Sequence, residues 1–194
     1  MAASPEDPVE SLARHAPPRR TGFALPPYRY LPGSARPHPT ADPRGHSHGQ
    51  PPPYPETALD PAHWQDCAAY LYGCDLYNRG FWWEAHEAWE APWRLAPPGS
   101  PPHAALKGLI QLANCHLKLH IGRVAVLPRL QRRYAAQFAA LNAQVAMPVL
   151  GLDFGAVQHA ADAYLARRIG LAAPAHDPLD YPYLLPLDEP EPAP

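Results

Sequence analysis

Proline fixes where a folded domain can lie in this chain. Of the 29 prolines in 194 residues, fifteen stand at or before Pro61 and seven at or after Pro174. Only seven fall in the 112 residues between them. Proline lacks a backbone donor and locks φ, so regular elements form with difficulty where it recurs. The pattern predicts a helical domain over 61–172. A Pro/His-rich N-terminal arm over 1–60 and a Pro-rich acidic tail over 173–194 flank it. The apolar fraction of 46% against 18% charged is enough for a packed core. No run approaches the ~18 consecutive apolar residues of a membrane span. No basic segment followed by an apolar stretch opens the chain, so the expected location is cytoplasmic, with no membrane partner.

Charge and cysteine narrow the function classes. The central stretch carries ten basic and seven acidic side chains, too weak a balance to imply nucleic acid. Arg129, Arg132 and Arg133 form a small basic patch, read as a solvated face because no aromatic residues interleave with it. The last 22 residues hold five acids and no base. They are expected to be solvated and disordered, and placed to screen a basic surface. Cys67, Cys74 and Cys115 are an odd count with no C-x-x-C pair. They read as small buried apolar residues, neither a disulfide framework nor a cysteine zinc site.

The arm has no helical or strand period. Residues 1–20 are expected to be disordered. Residues 22–55, which carry Phe23, Tyr28 and Tyr30, are expected to lie extended against the domain. Five helices are predicted after it, over 61–78, 81–95, 101–121, 123–142 and 153–169. Asp60-Pro61, Ser100-Pro101 and Asp153 supply start signals, and Gly80, Gly99, Gly122 and Gly151 mark the breaks. Pro92 predicts a late kink or an early end to the second helix. No alternating segment of useful length occurs, so the fold class is all-α.

The second predicted helix is the informative one, because four of the five tryptophans fall within it. At about 100° per residue, Glu90 lies about 40° from His86. Trp82, Trp89 and Trp93 lie within about 60° on the other side. Indoles bury large apolar areas, so that face is expected to be buried. A carboxylate among them needs a partner, a proton or a cation. His and Glu at i, i+4 can supply two ligands to one divalent metal. They can equally form a hydrogen-bonded pair that fixes helix packing. Glu87, near +100° by the same count, can join a site. Glu84, near +160°, is expected to form a salt bridge or lie in solvent.

Lys107, Gln111, Asn114 and Lys118 form one polar stripe on an otherwise apolar helix, which should therefore be central. The stripe is either a solvated edge or the wall of a polar pocket. Facing the His86/Glu90 helix, it would suit an anionic or carbonyl-bearing small ligand. Three histidines of the arm, His38, His46 and His48, are candidates for further ligands if the arm folds over that helix; otherwise they belong to a surface loop. His116 and His120 fall on the far side of the third helix from its stripe and are discounted. No phosphate-binding loop, dinucleotide fingerprint or hydrolase elbow occurs.

The series Asn78-x-Gly80-x-x-x-Glu84-x-His86-Glu87-x-x-Glu90-x-x-Trp93 resembles the bacterial and archaeal family called domain of unknown function 309. The hallmark H-x-x-x-E-x-x-W is met by His86, Glu90 and Trp93. The run from Leu106 to Ala113 is similar to the family's second block. The resemblance covers 62–123 well and the fourth helix loosely. It implies an all-helical fold of about five helices and a metal site at the His/Glu motif, with no established activity. The long arm and Pro92 depart from the family pattern.

The expected site therefore has His86 and Glu90 binding a divalent cation or acting as an acid–base pair. Glu87, Lys107, Gln111, Asn114 and Trp93 complete a pocket for a small molecule. If it is catalytic, metal-assisted hydrolysis is the least specific chemistry that fits. The alternative is a non-catalytic binding module in which the His–Glu–Lys network is structural.

Overall fold

A computed structural model describes residues 8–169 and 177–187. These contain six α-helices and two short 3-10 segments, with no strand among the described residues. The helices are α1 (Pro8–His15), α2 (Ala68–Tyr77), α3 (Trp82–Leu95), α4 (Pro101–His120), α5 (Leu127–Asn142) and α6 (Phe154–Ala166). The all-α class holds. No described helix is long and apolar enough to cross a membrane.

The start signals act as read. Asp60 accepts from the Ala62 amide at 3.0 Å, Ser100 from His103 at 3.4 Å and Asp153 from Ala156 at 2.9 Å. The element over 61–78 is not one helix. A 3-10 turn over Pro61–Asp66, with His63 at φ −129° and ψ 41°, precedes α2. The break turns Trp64 inward, where its ring meets Tyr70 edge-on at 6.0 Å. Helix α3 runs through Pro92 to Leu95. Proline in a last turn forfeits one hydrogen bond, so it neither ends nor shortens the helix. A 3-10 turn over Val124–Val126 precedes α5, and α6 ends three residues before its predicted limit.

Helix α4 is central, packed between α3 and α5. Leu106, Leu109, Leu112, Ala113, Leu117 and Leu119 on it are buried. Helices α2 and α3 cross closely because Gly73 has no Cβ. One placed there would meet the Trp89 indole nitrogen at 2.2 Å. That indole donates to the Tyr70 carbonyl at 3.1 Å. All three cysteines are free and buried. His116 is wholly buried, bonded to the Tyr77 hydroxyl at 2.9 Å and ringed by Trp82, Tyr164 and Tyr181. Burial, aided by the Arg168 charge, holds its pKa down to about 3, so it is a neutral core histidine.

Two expectations of disorder are corrected. Residues 1–7 lie outside the described residues, but from Pro8 onward the segment is helix α1, with Val9 and Leu12 buried. Behind it, Asp75 of α2 accepts from the Arg20 amide, the Thr21 amide and the Thr21 hydroxyl at 2.7–2.9 Å. The Tyr72 hydroxyl donates to the Ala24 carbonyl at 2.7 Å. In the acidic tail, Tyr181 and Leu184 are buried. Asn78 grips Leu184 by both its amide and its carbonyl at 2.7 Å. Asp180 pairs with Arg167 at 2.7 Å and Arg168 at 2.6 Å, which keep its carboxyl below the usual range against the opposing effect of burial. Asp177 accepts from the Leu179 amide at 2.9 Å, and the other three acids, Asp188, Glu189 and Glu191, lie outside the described residues.

Candidate metal centre and the cleft beside it

Helix α3 starts after a reversal at Gly80, whose φ is +76°. A Cβ there would also meet the Val9 side chain at 2.2 Å, so this motif glycine lets α1 close on the turn. Trp82 and Trp89 anchor the inner face of α3 and are fully buried. This fixes the rotation of the helix and sets His86, Glu87 and Glu90 at the margin of the core. The expected deep burial of the motif is thus corrected: the His86 and Glu90 side chains each keep 22% of their surface exposed.

His86 Nε2 lies 2.8 Å from Glu90 Oε1. The other Glu90 oxygen accepts from Arg94, so three side chains at i, i+4 and i+8 form one chain of bonds. Glu87 stands beside them, and one donor atom from each of His86, Glu87 and Glu90 falls within 4.8 Å of the others. Glu87 has no hydrogen bond or ion pair among the described residues. Burial, reinforced by the Glu90 charge, pushes its pKa up, while His86, Arg94 and His38 pull the other way.

Glu87 opens onto a cleft of about 240 Å³ between the arm and helices α2 and α3. His46, Tyr54, Tyr72, Trp83, Glu84 and Arg94 are among its walls. The arm does cross the motif helix, but its histidines do not reach His86. His38 packs against Tyr30 and Trp83, and His48 bonds the Thr40 carbonyl at 2.8 Å. His46 sits 3.5 Å from Glu84.

Glu84 is not in solvent. It is buried and accepts from the Tyr30 amide at 2.8 Å, and its Oε2 has no hydrogen-bond partner; His46 Nε2, the atom 3.5 Å from Glu84 Oε1, makes no hydrogen bond. The helical wheel turns Glu84 away from His86, and only docking of the arm covers that side. The salt-bridge alternative for Glu84 is the one the structure fits, but the local pattern held no signal that His46 would be the partner.

The other expected site residues are dispersed. Trp93 is half-buried against His103, with ring centroids 5.4 Å apart. Its indole nitrogen is buried without a partner. Lys107 and Gln111 line a different cleft, shared with Arg129, Arg132 and Arg133 of α5, and none of the His86 group lines it. Asn114 donates to the Ile110 carbonyl of its own helix at 3.2 Å. Of the polar stripe of α4, only Lys107 and Gln111 form a pocket wall, and that pocket is shared with α5, not with the motif helix.

No curated protein and no solved structure matches the chain significantly. The model of the family described as Domain of unknown function (DUF309) matches residues 70–130, which hold most of α2, all of α3 and α4, and the whole His86/Glu87/Glu90 cluster. Over that segment, about a third of the chain, the protein is similar to this family.

Proposed function

We propose that His86, Glu87 and Glu90 hold a divalent cation beside the cleft under the arm, where a small polar molecule binds. The observation that carries this reading is the convergence of one imidazole and two carboxylates within 4.8 Å on a single helix. Glu87 is the telling member, because burial and a neighbouring carboxylate both work against its charge and nothing bonds it. A cation would remove that conflict. One nitrogen and two oxygen donors suit zinc or a similar divalent ion.

When bound, such a cation would supply Lewis acidity and a water of lowered pKa, the basis of metal-assisted hydrolysis. The chain's own side chains do the positioning. Arg94 steadies Glu90, and the 2.8 Å approach of Glu90 Oε1 to His86 Nε2 holds these two donor atoms side by side. Glu87 borders the cleft and can accept a hydrogen bond from a molecule held there. Lys107, Gln111 and Asn114 have no part in this pocket.

A second reading has its own support, since both oxygens of Glu90 already have protein partners. On that reading the His86–Glu90–Arg94 chain fixes the helix, and the protein is a non-catalytic binding module. Calorimetric titration of the full chain with Zn²⁺ or Mn²⁺ separates the two. Saturable binding near one equivalent, lost in His86→Ala and Glu87→Gln, supports the metal centre. Absence of binding, or binding unaffected by both variants, refutes it.

A further inference from the structure

The second cleft, between α4 and α5, encloses about 520 Å³. Lys107 and Gln111 stand on one wall, and Arg129, Arg132, Arg133 and Gln137 on the other. The α5 residues recur at steps of 3, 1 and 4, which places them on one helix face. Four cations thus converge on one concavity that no acid lines.

Among the described residues no counter-charge pairs with them. From Ala91 to Leu152 there is no aspartate or glutamate at all, yet seven lysines and arginines. Helices α4 and α5 lie wholly within that stretch. Asp162 of α6, which reaches α5, is taken up by Tyr134 and Gln131. None of the four cleft cations has an ion pair or hydrogen bond among the described residues. Gln111, on the cleft wall, keeps its Oε1 buried without a hydrogen-bond partner.

We infer that this cleft binds a small molecule carrying several phosphate groups. Converging like charges repel one another, and a polyanion reverses the sign of that interaction. Guanidinium forks match phosphate oxygens in pairs, which favours arginine over lysine in such a place. The volume lies within the range of small-molecule sites. No aromatic side chain lines the cleft, so it has no platform on which nucleic-acid bases could stack. The cleft shares no residue with the His86 cluster.

The test is calorimetric titration of the full chain with tripolyphosphate in EDTA, which removes any contribution from a metal. Saturable binding near one equivalent is expected. Combining Arg129→Ala, Arg132→Ala and Arg133→Ala should weaken it about eightfold, from three exposed charged contacts of about twofold each. These arginines are exposed, so their removal should not lower the unfolding transition; if the triple variant does not fold, Arg132→Ala alone should weaken binding about twofold. Arg123→Ala removes a cation outside the cleft and should change affinity by less than about twofold. The inference is overturned by absence of binding, by an equal loss in Arg123→Ala, or by a single-stranded oligonucleotide that binds these arginines more tightly than tripolyphosphate.

Discussion

Lowering the pH from 7 to 4 should cost this protein about 3 kcal/mol of stability through His116 alone. The ring is fully buried, with Tyr77 as hydrogen-bond partner, and its pKa falls from 6.5 to about 3 in the folded state. Because the folded value is depressed, the native state stays neutral while the unfolded chain takes up a proton. The stabilisation is complete above pH 6.5 and is lost as the pH falls from there towards 3. Each pH unit across that window is worth about 1.4 kcal/mol, and the interval from 6.5 to 4 spans about two and a half of them. The assay is urea unfolding of the wild type and His116→Gln at several pH values between 7 and 4. Glutamine keeps a hydrogen-bonding group but does not titrate. The variant will be less stable throughout, so only the slopes are compared. The wild type should lose about 3 kcal/mol more than the variant over this interval. Parallel slopes, or a His116 ring resonance that titrates near 6.5 in the folded protein, would refute the reasoning.

Two further perturbations probe how the arm and helices are held. Asp75→Ala removes the acceptor for two amides and a hydroxyl of residues 20 and 21, and should cost about 3 kcal/mol. It should also speed tryptic cleavage at Arg19 and Arg20, and an unchanged cleavage rate would mean the arm is held by other contacts. Gly73→Ala drives a methyl into the Trp89 indole and should lower stability by about 1–3 kcal/mol with a shifted tryptophan emission. A variant as stable as the wild type would show that α2 and α3 part more easily than the packing indicates.

Much of this architecture was legible in the residues. Asp60, Ser100 and Asp153 cap where their side chains predict, and the apolar circumference of α4 correctly makes it central. The stripe from Lys107 through Gln111 was also legible as a shared face. Periodicity says which residues share a face but not which neighbour that face meets, so its pairing with α5 stayed hidden. The arm posed a different problem. Its order comes from bonds such as Tyr30 to Glu84, 54 residues apart, which leave no trace in local pattern. Helix α1 carries only Val9 and Leu12 as deeply buried anchors, too few to stand out in a Pro-rich segment. At the candidate site, the spacing of His86, Glu87 and Glu90 predicted their proximity because all three share one helix. Their position at the edge of the core depended on the inward turn of Trp82 and Trp89.

The central claim is that His86, Glu87 and Glu90 bind a divalent cation. Its most direct test is metal content by mass spectrometry on untagged protein, since a purification tag would mimic the arm's histidines. Near-stoichiometric metal is expected in the wild type, as isolated or after loading with zinc or manganese. That metal should be lost in His86→Ala and Glu90→Ala, with cooperative unfolding retained. A wild type that holds no metal even after loading, or variants that keep it, would contradict the claim.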